Sequence, residues 1–235
     1  MTPLLITTAN NPPTGTPHLK MEDLATRTIA AKSSVFYFAS LGAKNIVIAD
    51  ATGTNLLNID DLSHLSQMGI EVEQINYNQD HNAIISKGKG FGEGELINFS
   101  LSNSKLLQRY DKFFKCTGKV HCRNFNEIEQ MISQNNVSNI FWHFMDNTMV
   151  KPWVDTRFFY ADKNFISSKV IPIYKRCDDQ VASIEHLLYP LLNDELSQAK
   201  AVRPLLSGFS GGTGLPYFDA SLGILDITYP CWLSM

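Results

Sequence analysis

The sequence predicts a single α/β domain in which a mixed, mostly parallel sheet is flanked by helices, and three observations predict it. Ile46-Val47-Ile48 is apolar at every position, as in a strand covered on both faces. A helical stretch separates this run from an earlier strand-like one, so the two enclose a βαβ unit of about fifty residues. At 235 residues and 44% hydrophobic, the chain is long enough for one full core or at most two small ones.

The elements follow in order. "PLLITTAN" (3–10) is a short apolar, β-branched strand that Asn-Asn-Pro-Pro ends. From Met21 to Leu41, positions Leu24, Ile29, Val35, Phe36, Phe38 and Leu41 recur at roughly helical spacing and mark the expected buried face; Gly42 is the stop. "KNIVIADATGT" (44–54) is the second strand, closing on Asp50 and a Thr-Gly turn. Asp60 to Met68 reads as a helix and "IEVEQINYN" (70–78) as the third strand. "KGKGFGEGELINFSLSNSKLL" (87–107) opens as a glycine-rich loop and becomes helical from about Glu93, with Leu96, Ile97, Phe99 and Leu101 inward. "YDKFFKCTGK" (110–119) is a central strand with its exit.

Further along, "VSNIFWHFM" (137–145) and "DTRFFYADKNFI" (155–166) read as strands. "DDQVASIEHLLYPLLN" (178–193) reads as a helix with Val181, Ile184, Leu187, Leu188 and Leu191 inward, and "LLSGFSGGTGLPY" (205–217) as a glycine-rich loop. No internal repeat or low-complexity linker interrupts the chain.

Composition narrows the function classes. A formal charge of −3 gives no overall basic footprint, so nucleic acid is not an expected partner and any anion must be met by a local cluster. Cys116, Cys122, Cys177 and Cys231 show neither a CxxC pair nor zinc spacing, and the six histidines form no HxxxH or HxH pair. The first residues lack a signal-peptide pattern, which points to free thiols in the cytoplasm. No apolar run approaches the roughly eighteen residues of a membrane span.

Such a cluster stands at "DKFFKCTGKVHCRNF" (111–125), where a buried strand delivers Lys115, Thr117, Gly118, Lys119 and Arg123 to its exit. The strand ends before it bring Asn10, Asn11 and Asp50 to the same edge. The glycine-rich loop with Lys87 and Lys89 would leave backbone N–H groups open to an anion. An ordinary turn or a solvated strand face explains the same residues without a ligand.

In their order, "LLITTANN", "IVIADATG", "KGKGFGEGELINFSL", "FFKCTGK", "DTRFFYADKNF" and "DDQVASIEHLLYPLL" resemble the nucleotide-sugar half of GT-A (Rossmann-like) glycosyltransferases, especially bacterial enzymes that assemble surface polysaccharide such as capsule or lipopolysaccharide. The resemblance spans residues 3–193. It implies one domain, with 1–110 as the nucleotide-binding half and 111–235 as the acceptor and catalytic half.

It also implies a nucleotide-sugar donor and a glycan or lipid-linked glycan acceptor. The expected localisation is cytoplasmic, with peripheral contact at the inner face of the membrane where the acceptor rides on a lipid. Where that family carries an Asp-x-Asp motif for a divalent metal, this chain has "FFKCTGK" and no carboxylate. No metal or other cofactor is therefore expected, and Lys115 and Lys119 take over charge neutralisation at the leaving phosphate.

Under this resemblance Asn10, Asp50, Lys89, Lys115, Thr117, Lys119 and Arg157 bind the donor. Glu185 is the catalytic base, or holds the acceptor if configuration is retained; Asp155 is the second catalytic residue and with Arg157 orients donor or acceptor; and His186, Ser210 and Thr213 meet the acceptor. Glu185 and His186 are adjacent on one helix, so they point in different directions. Two other classes suit the same residues: a nucleotidyl- or phosphoribosyl-transferase, and a non-catalytic glycan- or nucleotide-binding module.

Overall fold

The computed structural model of the chain describes residues 1–17, 19–135, 137–144, 153–196, 202–210, 214 and 216–218. Its strands are β1 (Leu4–Thr8), β2 (Asn45–Asp50), β3 (Glu71–Asn76), β4 (Lys112–Thr117), β5 (Val120–Cys122), β6 (Ile140–Phe144), β7 (Trp153–Asp162), β8 (Leu206–Phe209) and β9 (Pro216–Phe218). Its helices are α1 (Leu24–Ser40), α2 (Ile59–Gln67), α3 (His81–Lys87), α4 (Lys89–Asn103), α5 (Lys105–Gln108), α6 (Phe125–Asn135), α7 (Lys163–Phe165), α8 (Ile171–Tyr174) and α9 (Ile184–Leu196). A π-helical turn, Ile166–Val170, joins α7 to α8.

Six strands form the main sheet in the order β3-β2-β1-β4-β7-β6, and β5-β8-β9 form a small second sheet. The first four strands run parallel, whereas β7 is antiparallel to both of its neighbours. This is the expected α/β class, a mixed, mostly parallel sheet between helices. Because β4 lies beside β1, the boundary at 110/111 runs through one continuous sheet.

Strand alternation divides the core in two. Leu4, Ile6, Ile48, Phe114 and Phe158 pack against α1, α2 and α6; Leu5, Val47, Phe113 and Phe159 pack against α4, α5, α8 and α9. Phe114 anchors the first layer, with the rings of Phe125, Tyr160 and Phe158 at 4.9, 5.0 and 5.7 Å.

Four local expectations change. The buried stripe of α1 is Arg27, Ala31, Ser34, Val35, Phe38 and Ala39, while Leu24 and Ile29 are exposed. The helix of the glycine-rich stretch begins at Lys89, not Glu93, so Gly90, Gly92 and Gly94 lie within α4. A Cβ at Gly94 would collide with Tyr174, and one at Gly90 with Cys177; close helix packing selects these glycines. Val181 lies ahead of α9 and is exposed. Residues 206–209, expected as loop, form a strand paired to β5.

Candidate functional site

Parallel register fixes where a ligand can sit. Thr8 pairs with Asp50 and Thr7 with Thr117, so β1, β2 and β4 end along one edge. The antiparallel β7 begins at the same edge, as its Phe158 pairs with Cys116. Ligands of open α/β sheets bind outside such carboxyl ends.

Asp50 is buried, and its carboxylate is occupied by the chain itself. Oδ2 accepts from Thr8 Oγ1 at 2.8 Å and from the Asn10 backbone N–H at 3.0 Å. Oδ1 accepts from Thr52 N and Oγ1 at 2.8 and 2.5 Å, and from Thr54 N and Oγ1 at 3.2 and 3.1 Å. Asp50 thus orders the loops on both sides of it, and Asn10 is held through its backbone.

Lys115 is not on a solvated face: its side chain is completely buried. Its ammonium donates to Glu93 Oε1 at 2.5 Å, to Thr156 O at 2.7 Å and to Thr117 Oγ1 at 3.0 Å, which uses all three protons. Glu93 Oε1 also accepts from Thr7 Oγ1 at 3.3 Å and Thr117 Oγ1 at 3.2 Å. A buried lysine held in this way contributes a fixed charge, and Glu93, on α4, is its counter-ion.

Lys119 differs. It is half-buried, and among the described residues its ammonium has neither a hydrogen bond nor an ion pair. Burial lowers it from the ordinary lysine value to about 7; Arg27, Lys89 and Lys115 push the same way, and Glu93 opposes them. Lys89 is lowered by burial, with Asp179 and Glu185 opposing. Arg27 is buried at the start of α1, where it donates to the Ala9 and Met21 carbonyls. Four cations therefore share one neighbourhood of the edge.

Glu185 approaches from α9 and accepts from Thr156 Oγ1 at 3.1 Å. Burial raises its carboxyl above the usual range, against hydrogen bonds that lower it. Tyr174 Oη is buried beside Glu93, and burial, followed by Glu93 and Glu185, pushes the phenol well up. His186 is exposed, and its Nδ1 lies 3.0 Å from Ser183 Oγ, a hydroxyl that also bonds to Glu185.

Asp155 and Arg157 form a bidentate pair, with Arg157 Nε at 2.8 Å from Oδ1 and Nη2 at 2.7 Å from Oδ2. Asp155 pairs across the sheet with Trp142 of the α1-side core, whereas Thr156 reaches Glu185 on α9. Asp155 and Glu185 thus occupy opposite faces of the sheet, and they do not form one carboxylate pair.

The N-terminus of α4 meets an anion belonging to the chain: Gly90 N donates to Asp179 Oδ2 at 3.1 Å. The expectation of an open phosphate loop is corrected accordingly. Ser210 directly follows β8, and its carbonyl accepts from Gly214 N at 2.8 Å. Thr213 and the C-terminal segment from 219 lie outside the described residues.

The donor set at the β4 exit does not suit a divalent cation. It offers lysine ammonium groups and a threonine, and the nearby carboxylate Glu93 is already paired with Lys115.

Sequence reading missed Arg27, Glu93, Thr156 and Tyr174. Arg27 carried a signal, because it precedes Ala31 and Val35 by one and two helical steps of four. Thr156 and Tyr174 carried none.

No family model matches the chain, and no curated protein matches its sequence. Among solved structures it is similar to the glycosyltransferase GlyE of Streptococcus pneumoniae TIGR4, with a TM-score of 0.48 and 10% identity over 82% of this chain and 43% of that one. A glycosyltransferase involved in glycosylation of the major capsid of PBCV-1 gives 0.44 and 10% over 83% and 78%. A Bacillus anthracis protein described as a glucose-1-phosphate thymidylyltransferase, in complex with a sucrose, gives 0.44 and 12% over 91% and 90%. Likeness at this level concerns the outline of the fold, and no residue's role is taken from it.

Proposed function

We propose that the chain is a glycosyltransferase that moves a sugar from a nucleotide-sugar donor to a hydroxyl of a bacterial surface glycan, with fixed cations in place of a metal. One observation carries the reading: Lys119, without a partner among the described residues, stands with Arg27, Lys89 and Lys115 at the strand edge where ligands bind. Such a cluster is unfavourable until an anion joins it, and a diphosphate has the charge to do so.

In the reaction the acceptor oxygen attacks the anomeric carbon while the bond from that carbon to the leaving phosphate oxygen breaks. The electron pair leaves with the phosphate, where Lys119 and Lys89 offset the growing charge. Glu185 takes the acceptor's proton, a task suited to a carboxylate whose affinity for protons burial has raised. Asp50 serves the nucleoside by shaping the loops around it. Asp155 and Arg157 brace the opposite face, and Ser210 is assigned to the acceptor. An acceptor carried on a lipid would bring the chain to the inner face of the membrane; no described helix is long and apolar enough to cross it.

Thermal stabilisation by UDP, GDP, CMP and ADP and their sugar conjugates, each with Mn²⁺ or with EDTA, tests the reading. A single nucleotide family should stabilise the protein by roughly 2–4 kcal/mol in large excess, and should do so in EDTA. Stabilisation that vanishes in EDTA overturns the cation-for-metal mechanism, and no stabilisation at all overturns the donor site. Glu185→Gln should lower kcat about 10²- to 10⁴-fold and leave donor affinity unchanged. Unchanged activity would instead indicate a binding module or a different base.

A further inference from the structure

Away from the strand edge, a cavity of about 210 Å³ opens on the solvent side of α4. Its lining follows one face of that helix, where Phe91, Glu95, Asn98, Phe99 and Asn103 recur at steps of three and four, and Tyr77 with Lys175 of the α8 end completes it. The other side of α4, with Leu96, Ile97 and Ser100, is spent on the core. From Phe91 to Asn103 the helix rises roughly 18 Å, so the cavity is a trough rather than a round pocket. One end stays near the strand edge: Tyr77 N donates to the Asp50 carbonyl at 2.8 Å, and Phe91 follows Lys89 by two residues.

Two kinds of surface meet in the trough. Tyr77 and Phe99 stack with their centroids 4.7 Å apart and their planes 15° from parallel, which gives it a flat apolar panel. Around the panel stand polar groups that the fold leaves unused. Among the described residues the Glu95 carboxylate, the Asn98 side-chain amide and the Lys175 ammonium enter no hydrogen bond or ion pair. Burial raises the Glu95 carboxyl; Lys87 opposes this, Asp80 adds to it and Lys175 opposes it again. Two acids and two bases thus balance, and no excess of either sign is left to draw an ion.

A sugar ring matches both surfaces. Its C–H face packs on an aromatic ring, and its hydroxyl rim donates to a carboxylate, accepts from an ammonium and does both with an amide. A lone nucleoside would cover the panel and leave the length of the trough empty. We propose that this trough is a second binding site of the chain, for a neutral oligosaccharide, separate from the donor edge and opening beside it. The site goes beyond the transferase reading, since it stands on its own lining. Under that reading, a glycan gripped here is kept close to the edge, which raises the effective concentration of its end.

The test is amide NMR of the full chain, without nucleotide, titrated with neutral gluco-, galacto-, manno- and N-acetylglucosamine tetrasaccharides, with uridine and a neutral glycine-serine peptide in parallel. The side-chain amide signals of Asn98 and Asn103 should move with at least one tetrasaccharide and saturate. Combining Glu95→Ala with Asn98→Ala should weaken that binding about tenfold or more, read at Asn103. Because both side chains lack partners in the fold, the double variant should keep the parent's thermal midpoint.

Movement with none of the tetrasaccharides overturns the proposal, and so does equal affinity in the double variant. Uridine or the peptide moving these signals where the sugars do not would also overturn it, by making the trough a site for that other class. The nucleotide edge takes no part in the measurement, so the donor-site reading stands or falls separately.

Discussion

Two neighbouring strand ends carry buried charge and treat it in opposite ways. At the end of β2, Asp50 is surrounded by six donors from its own chain. At the end of β4, Lys115 is likewise saturated, but Lys119, just beyond the strand, is left among other cations with its ammonium unclaimed within the described residues. A saturated charge has finished its work when the chain folds. An unsaturated one has interaction energy left for a ligand, which is why the β4 exit, and not the β2 exit, is where an anion is expected.

This contrast can be broken by measurement. The largest effect is expected from Asp50→Ala, which strips acceptors from three backbone N–H groups and three hydroxyls. Urea denaturation should show a loss of about 3 kcal/mol or more. A loss below about 1 kcal/mol would mean that water replaces the network and that Asp50 is not the organiser described. Lys119→Met should do the reverse: stability within about 1 kcal/mol of the parent, or above it, with nucleotide affinity reduced at least about tenfold. A variant as destabilised as Asp50→Ala would erase the distinction between the two ends.

The smallest effect is a dependence on pH. Lys119 is depressed in the folded chain to about 7 from the ordinary lysine value of 10.5. Between those values the unfolded chain holds a proton that the folded chain has released, so stability rises with pH across that window. Below about pH 7 both states are protonated, and the cost of the crowded cation is fully present. The rise should be missing from Lys119→Met, and nucleotide bound at the edge should flatten it by restoring the proton. Identical pH profiles for the parent and the variant would show that Lys119 is as well solvated as any surface lysine.

The sequence made some of this legible. Alternation along Phe113, Lys115 and Thr117 places Lys115 on the same face as a core phenylalanine, and Asp50 and Thr117 are readable as strand exits. The buried face of α1 was readable only in part: Val35 and Phe38 were expected there and are buried, but the other inward residues are an arginine, a serine and two alanines, while the apolar Leu24 and Ile29 face outward. Nor was the purpose of the glycines in α4, which is set by Tyr174 and Cys177, residues far along the chain. Asp179 is a third case. Nothing local says that this carboxylate closes the α4 N-terminus, since that contact exists only after a long stretch of intervening chain has folded.

One small feature governs the order in which the site is built. Phe209 N donates to the Lys119 carbonyl, and Gly208, at φ +136°, lies so close that a Cβ there would strike that carbonyl. The turn bearing Lys119 is therefore clamped by a strand that the ribosome delivers much later than β4, and the long loop between them must close first. In pulse-labelled refolding the Phe209 amide should gain protection after those of β1, β2 and β4. Until β8 docks, the chain has its central sheet and Lys115 in place, but the turn that holds Lys119 is still without its brace.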